Sequence, residues 1–231
     1  MRPFCVIHYI KDQFMKILYE DRSILVVYKE QGITTQENKA NEKCLLDIIR
    51  EEYKDEKMYL ALINRLDKDV SGLVLIAKSK EVAAKLNTMQ QEREINKEYI
   101  AIVGGVPLDM NGRFDDLLFK DSSKNKSFVV DRMRKGVKDA SLLYEVIKTF
   151  EFDGMMCSAI KVNLITGRTH QIRVQFSSRK MPILGDIKYG STIKTCKIAL
   201  TCAKIEFNHP ITKKVVSVVS SLPTEAPWSM I

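Results

Sequence analysis

Residues 63–78, INRLDKDVSGLVLIAK, are the stretch that decides how this chain is interpreted. The apolar run from Tyr59 to Ile63 before its polar centre predicts a strand, and the unbroken apolar run from Leu73 to Ala77 predicts a buried strand. Charged side chains between two buried strands are costly to place in a core. The stretch therefore predicts a strand-end loop at the rim of a cleft, where functional groups concentrate.

Spacing within the loop singles out Asp67. In extended backbone, Arg65 and Asp67 share one face with Asp69 after them, and Leu66 points the other way into the core. The alternative is that Asp67 is a turn residue, or a surface partner of Arg65 or Lys68.

Composition indicates a globular protein. The chain has 231 residues, 45% hydrophobic and 29% charged, and no apolar run reaches the roughly 18 residues that a membrane span needs. Residues 1–14 lack a signal-peptide cleavage site. We expect them to be an extension outside the core, followed by one domain over residues 15–231.

The cysteines indicate neither a disulfide framework nor a metal site. The five cysteines are scattered, and the three histidines lie far apart in the sequence. No Cys-x-x-Cys pair is present, so the simplest interpretation is a set of reduced core cysteines in a cytoplasmic protein.

Positive charge is concentrated in two segments of a chain whose net charge is +8. Residues 120–138 carry seven bases and two acids, and residues 161–197 carry eight bases and one acid. This distribution suits a polyanion, above all a nucleic acid. Ordinary solubilising lysines are the alternative explanation.

Strands joined by hairpins dominate the pattern, with few helices. We expect α+β class: a single domain on a mixed, mainly antiparallel β-sheet with flanking helices and a central catalytic cleft. Residues 108–140 are expected to form a hairpin or a long surface loop. Strands are predicted over 16–19, 24–28, 59–63, 73–77, 97–103, 142–150, 155–165, 198–207 and 215–219, and helices over 42–53 (capped by Asn41), 80–93 and 170–178.

Three separated blocks carry a resemblance to a known family. They are Arg65-Leu66-Asp67 with Ser71-Gly72-Leu73, Lys97-x-Tyr99, and residues 167–174, GRTHQIRV. In this order and spacing they resemble the RluA-type RNA pseudouridine synthases, over residues 16–220. Supporting matches are residues 24–33, residues 182–186 (PILGD) with Tyr189-Gly190, and Phe-x-His-Pro at 207–210.

The chain departs from the usual pattern of that family at three positions. Asn64 and Gln175 stand where histidine is common, and Val70 where threonine is common. Many relatives also carry a small N-terminal RNA-binding domain. We expect this chain to begin with the catalytic domain and to supply its own RNA grip.

The resemblance implies an isomerase that breaks the bond between ribose and uracil, turns the base and rejoins it through carbon. Such a reaction needs no metal, redox cofactor or energy input. Asp67 is implied as the catalytic carboxylate. It could attack the anomeric carbon, stabilise positive charge there, or act on a neighbouring sugar proton, and the sequence does not choose.

The implied substrate-binding residues are Arg65, Tyr99, Arg168 and Arg173. Arg173 would keep Asp67 ionised, and Arg168 would meet phosphate at the start of a helix. The alternative for Arg173 is a surface arginine on a helix, and the alternative for Arg168 is a solvated charge in a loop. Tyr99 would stack on the target uracil, or else be a core tyrosine.

Arg65 would occupy the space of a flipped base or hold the displaced RNA, or else pair locally with Asp67 or Asp69. Lys97 is expected to brace the strand end or the cleft, His170 to support the helix start and His209 to lie in a turn.

RNA, ribosomal or transfer, is the expected partner. No membrane association and no obligate protein partner are indicated, and a monomer is expected. A non-catalytic RNA-binding or ribosome-assembly module is the alternative function. A nucleoside hydrolase or glycosylase using Asp67 and Asp69 is a third hypothesis.

Overall fold

The computed structural model describes the backbone of residues 8–9 and all atoms of residues 15–36, 42–194 and 196–231. These residues form twelve strands and three α-helices. The strands are β1 His8–Tyr9, β2 Met15–Glu20, β3 Ile24–Lys29, β4 Ala61–Leu62, β5 Ser71–Ala77, β6 Asn96–Gly104, β7 Asn111–Asp121, β8 Lys126–Val130, β9 Val137–Phe152, β10 Met155–Leu164, β11 Leu200–Asn208 and β12 Val215–Val219. The helices are α1 Leu45–Glu52, α2 Lys80–Gln91 and α3 Gln171–Ser178.

The chain divides into two compact units, Met1–Lys97 with Thr201–Ser221, and Glu98–Leu200 with Leu222–Ile231. In the first unit the strand order is β1, β2, β3, β5, β11, with β4 also on β5 and β12 also on β11. Every pairing is antiparallel except that of β5 with β11. Strands β3 and β5 are buried along their whole length, so they form the core of this unit.

The parallel contact between β5 and β11 depends on a glycine. Ser71 lies opposite Thr201, and Gly72 lies opposite Cys202. Gly72 has φ +122°, and a Cβ there would lie 2.3 Å from the Cys202 nitrogen. Only glycine allows the two backbones to come this close. The apolar run after the Asp67 loop can therefore form the central strand of the unit.

In the second unit the strand order is β6, β10, β9, β7, β8, and all pairs are antiparallel. The β7–β8 hairpin and the first residues of β9 account for residues 108–140, whose hairpin prediction is confirmed. Helix α3 contacts β7 and β8, where Leu118, Ala140, Val174 and Tyr189 form a buried apolar cluster. This packing places the 167–174 block against the hairpin.

The α+β class and the mainly antiparallel pairing are confirmed. The prediction of a full strand over 59–63 is wrong, because only Ala61–Leu62 pairs with β5. Helix α1 begins at Leu45 rather than near residue 42. Its cap is Cys44, whose backbone N–H donates to the Asp47 side chain at 3.0 Å, and the predicted cap Asn41 lies outside the described residues.

The predicted extension also lies largely outside the described residues. His8 and Tyr9 of that segment pair with Ile17 and Lys16 of β2. The single domain over 15–231 and its central cleft stay predictions. Among the described residues, no helix has the length and apolar character to cross a bilayer.

Candidate active site

The loop that carries Asp67 is a tight turn between β4 and β5. The Val70 N–H donates to the Asp67 carbonyl at 3.1 Å. Arg65 is exposed, Leu66 is buried and Asp67 is half-buried, as the extended-backbone prediction requires. The carboxylate thus lies at the surface of the first unit, on backbone held by the turn.

Asn64 joins this loop to β5. Its side-chain amide donates to the Leu73 carbonyl at 3.1 Å and accepts from the Leu75 N–H at 2.7 Å. The side chain is buried, and both bonds are to backbone. Asn64 therefore continues the pairing to β5 beyond the end of β4, and holds the residues before Asp67 in place.

Lys29 lies behind the same loop and was missed by the sequence reasoning. It is fully buried, and its Nζ donates to the carbonyls of Glu30 at 3.0 Å, Ile33 at 2.9 Å and Lys68 at 3.3 Å. Burial lowers the pKa of Lys29 from 10.5 to about 8, against the opposing effect of Asp67, Asp69 and Glu30. The sequence signal that could have revealed it is a lysine that directly ends the apolar run of β3, since such a lysine is placed to be buried with a lowered pKa.

Arg65 and Lys68 face outward on either side of Asp67. The Arg65 guanidinium donates to the Gln36 side chain at 3.1 Å, and Lys68 forms an exposed ion pair with Glu42 at 2.8 Å. The proposed local partnership of Arg65 with Asp67 or Asp69 is thus replaced by one with Gln36. Both bases lie at the surface, where a polyanion can reach them.

Tyr99 lies on β6 opposite Val162 of β10 and is buried. Its position confirms that it lies on a strand; its stacking on uracil stays a prediction. Lys97, in the first unit, donates to the Gln90 side chain, and burial lowers the pKa of Lys97 to about 8. That contact ties the start of β6 to α2, in agreement with a bracing role.

Arg173 is a buried residue of α3, not a surface arginine. Its Nε lies 2.7 Å from Asp186 Oδ2, and its Nη2 lies 2.9 Å from Asp186 Oδ1. Arg173 Cζ also lies 5.2 Å from the centre of the Tyr189 ring. A bidentate pair and a ring face together fix the direction of the guanidinium.

Arg168 lies before the helix rather than at its first residue, and its contact with a phosphate stays a prediction. Its backbone N–H donates to the Gln171 side chain at 2.9 Å, and its Nε donates to the Asp139 carbonyl at 2.8 Å. The helix begins only at Gln171. Arg168 is exposed, so what it offers a phosphate is its guanidinium.

The two histidines of the motifs have structural contacts. His170 precedes α3 with φ +55°, and its Nδ1 lies 2.8 Å from the Tyr189 hydroxyl. His209 lies in the turn before β12, where Nδ1 accepts from the Ile211 and Thr212 N–H groups and Nε2 lies 2.8 Å from Asp21. The predicted turn position of His209 is confirmed, and His170 supports the helix start.

The remaining departures from the family pattern are packing residues. Val70 is buried beside the Asp67 turn. Gln175 is buried in α3, where it donates to Asp116 at 2.7 Å and to the Ala140 carbonyl at 3.2 Å. Val70 thus belongs to the apolar core beside the turn, and Gln175 ties α3 to Asp116 and Ala140 through its side-chain nitrogen.

Metal-ligating groups do not cluster anywhere in the described ranges. The Asp67 carboxylate has Arg65, Lys68 and Asp69 as neighbours in the loop. The buried ammonium of Lys29 lies behind it. This set can hold negative charge and bind a polyanion.

The comparisons with known proteins agree with the motifs. A family model described as RNA pseudouridylate synthase matches residues 23–178. Ribosomal large subunit pseudouridine synthase C of Buchnera aphidicola subsp. Schizaphis graminum is 31% identical over 93% of this chain and 69% of the relative. The synthase C of Buchnera aphidicola subsp. Baizongia pistaciae is 30% identical over 89% of this chain and 66% of the relative, so the chain spans about two thirds of these proteins.

A solved structure gives the same fold. Human RNA Pseudouridylate Synthase Domain Containing 1 superposes with a TM-score of 0.76 at 21% identity, covering 91% of this chain and 84% of that chain. At this identity the likeness bears on the fold alone. The family-model match and the Buchnera relatives decide the family: this chain belongs to the RNA pseudouridylate synthases, isomerases that act on RNA.

Proposed function

We propose that this chain converts a uridine of ribosomal RNA to pseudouridine, with Asp67 as its catalytic carboxylate. The observation that carries the proposal is the position of Asp67, half-buried on a hydrogen-bonded turn within a motif of the family. Ribosomal RNA is proposed because the relatives are named for the large ribosomal subunit. Transfer RNA is the alternative substrate.

The proposed roles follow the chemistry of each side chain. Asp67 acts at the anomeric carbon or on a neighbouring sugar proton, and Arg173 keeps it ionised. Tyr99 stacks on the uracil through its ring face. Arg65 and Arg168 hold the RNA backbone around a uridine that has left its stack.

The first test compares Asp67→Asn with the matched variant Asp69→Asn. Each variant is incubated with ribosomal RNA that lacks pseudouridine, and the product is mapped along the RNA. We expect no pseudouridine with Asp67→Asn, RNA affinity within about twofold of the wild type, and near-normal activity with Asp69→Asn. Full activity of Asp67→Asn would refute the assignment.

The same experiment separates the other functions. Free uracil released from RNA, with activity lost in both aspartate variants, would indicate a glycosylase that uses a carboxylate pair. RNA binding by the wild type without any change in the uridines would indicate a binding module. Pseudouridine in transfer RNA alone would replace the proposed substrate.

We also propose a cytoplasmic monomer without an obligate protein partner. Among the described cysteines, Cys44, Cys157, Cys196 and Cys202 carry free thiols, which fits a reducing compartment. Sedimentation of the purified chain and cell fractionation test the two statements. A stable dimer or a membrane-bound fraction would contradict them.

A further inference from the structure

Arg173 is clamped by contacts that no motif role explains. Arg173 and Asp186 are both almost completely buried, with 4% and 0% of their side chains exposed. The pair engages the Nε–Nη2 edge of the guanidinium at 2.7 Å and 2.9 Å. A bidentate pair of this kind fixes both the plane and the direction of the group.

Tyr189 holds the same guanidinium from its face. The ring centre lies 5.2 Å from Arg173 Cζ. The hydroxyl of this buried tyrosine accepts from the Ser127 N–H of β8 at 2.8 Å and lies 2.8 Å from His170 Nδ1. At the other end, the Tyr189 backbone N–H donates to the Asp186 carbonyl at 3.1 Å, so the ring is a fixed platform for the cation.

The segment that carries Asp186 and Tyr189 is itself tied to the β7–β8 hairpin. Lys126 Nζ donates to the Lys188 carbonyl at 2.6 Å, and Lys188 Nζ donates to the Asn125 carbonyl at 3.0 Å. These two bonds run in opposite directions between the hairpin turn and the short 3-10 turn Ile187–Tyr189. The platform under Arg173 is thus positioned by the hairpin.

We propose that Asp186 and Tyr189 are positioning residues that preorganise the Arg173 guanidinium, Asp186 through its edge and Tyr189 through its face. This inference rests on the proposed function, in which Arg173 supports the reacting carboxylate. A buried ion pair adds little net stability, because desolvation offsets most of its attraction. What the clamp contributes is orientation, and a preorganised charge needs no rearrangement when the reaction begins.

The first variant is Asp186→Asn, which keeps the size of the side chain and removes its charge. We expect the single-turnover rate of pseudouridine formation to fall about tenfold or more, with the Kd for RNA changed less than about twofold. Asp115→Asn is the matched control, because Asp115 forms an exposed pair with Arg113 at 2.8 Å in the same unit. The control should keep the wild-type rate.

A double-mutant cycle separates positioning from general structural support. If Asp186 acts through Arg173, Asp186→Asn has no further effect on the rate in an Arg173→Met background. Equal losses in both backgrounds would overturn the inference, as would a wild-type rate for Asp186→Asn or for Arg173→Met. Thermal unfolding of each variant sets an assay temperature at which all are folded.

The tyrosine provides a second test if Asp186→Asn does not fold. Tyr189→Phe keeps the ring, so we expect a rate within about threefold of the wild type. Tyr189→Leu removes the ring face, so we expect a loss of about tenfold at unchanged RNA affinity. Equal rates for the two variants would overturn the role of the ring.

The wild type distinguishes the two levels of failure. If it forms no pseudouridine in any RNA, the proposed function fails and the inference falls with it. If it forms pseudouridine, Asp67→Asn is inactive and Asp186→Asn keeps the wild-type rate, only the inference fails.

Discussion

At the scale of single residues, the candidate site depends on buried charges held by backbone groups. Lys29 shows this most clearly, because its ammonium is fully buried and donates to three carbonyls. One of these carbonyls belongs to Lys68, next to Asp67. The turn that presents the carboxylate is therefore supported from within the unit by a lysine that is disfavoured in its charged form.

Lys29 makes the stability of the protein depend on pH. Its pKa is lowered from 10.5 to about 8 by burial, so between these values the unfolded chain binds more protons than the folded chain. The contribution of Lys29 to the free energy of unfolding therefore rises with pH from about 8 upward. We predict that the free energy of unfolding increases between pH 7.5 and 9.5 by about 1–2 kcal/mol less in Lys29→Met than in the wild type.

Denaturant unfolding at the two pH values measures this difference. Lys80→Met is the control, since Lys80 is an exposed lysine of the same unit. An unchanged pH dependence in Lys29→Met would show that Lys29 does not titrate in this range.

Sequence reasoning at this scale identified the candidate carboxylate but few of its supporting residues. Alternation in extended backbone predicted that Leu66 points into the core, and its burial is confirmed; the choice of Asp67 as the catalytic carboxylate came from the family resemblance. Asp186 and Tyr189 were visible only as supporting motif residues. Their partners lie 13 to 62 residues away along the chain, and no local pattern encodes such contacts.

At the scale of elements, one glycine decides whether β5 can pair with β11. We predict that Gly72→Ala lowers the free energy of unfolding by about 3 kcal/mol or more, because its Cβ would overlap the Cys202 backbone at 2.3 Å and 2.5 Å. Gly154→Ala is the control, since Gly154 has φ +73° and no atom within 4 Å of a Cβ. That variant should lose only about 1–2 kcal/mol.

Denaturant unfolding compares the two glycine variants with the wild type. Equal losses would mean that backbone strain alone, and not the close approach of the two strands, explains the effect at Gly72. A Gly72→Ala variant of normal stability would contradict the described pairing.

The elements themselves followed from sequence where their periodicity was strong. The hairpin of β9 and β10 and helix α2 are found where they were predicted, within a few residues at the ends. The parallel β5–β11 pair was not predicted, because β11 lies more than a hundred residues after β5. The strand predicted over 59–63 was too long, because only Ala61–Leu62 lies in the ladder with β5, and beyond it the bonding to β5 continues through the Ile63 N–H and the Asn64 side chain.

At the scale of the whole molecule, charge is the property that sequence determined most directly. The two basic segments predict that RNA binding releases counterions. We predict that log Kd rises with log salt concentration with a slope of about 4 or steeper between 50 and 200 mM, as expected for six or more phosphate contacts. Filter binding or fluorescence anisotropy measures the slope.

Single lysine variants locate the contact. Lys124 is exposed at the turn of the β7–β8 hairpin, and Lys124→Met should reduce the slope by about 1 if it meets a phosphate. Lys57 is an exposed lysine outside the basic segments, and Lys57→Met should leave the slope unchanged. A flat salt dependence in the wild type would refute the placement of RNA on these segments.

The first unit is built from two distant parts of the chain, and this delays its folding during synthesis. β5 and β11 cannot pair until Thr201, 130 positions after Ser71, has been synthesised. At about 5–20 residues per second, a ribosome needs roughly 6 to 26 seconds to add that length. During this interval β3 and β4 can already pair with β5, but Ser71 and Gly72 have no partner on the edge that β11 later occupies, and an unpaired strand edge is a template for aggregation. We therefore expect yield to depend on chaperone capacity and growth temperature more than the stability of the finished protein would suggest.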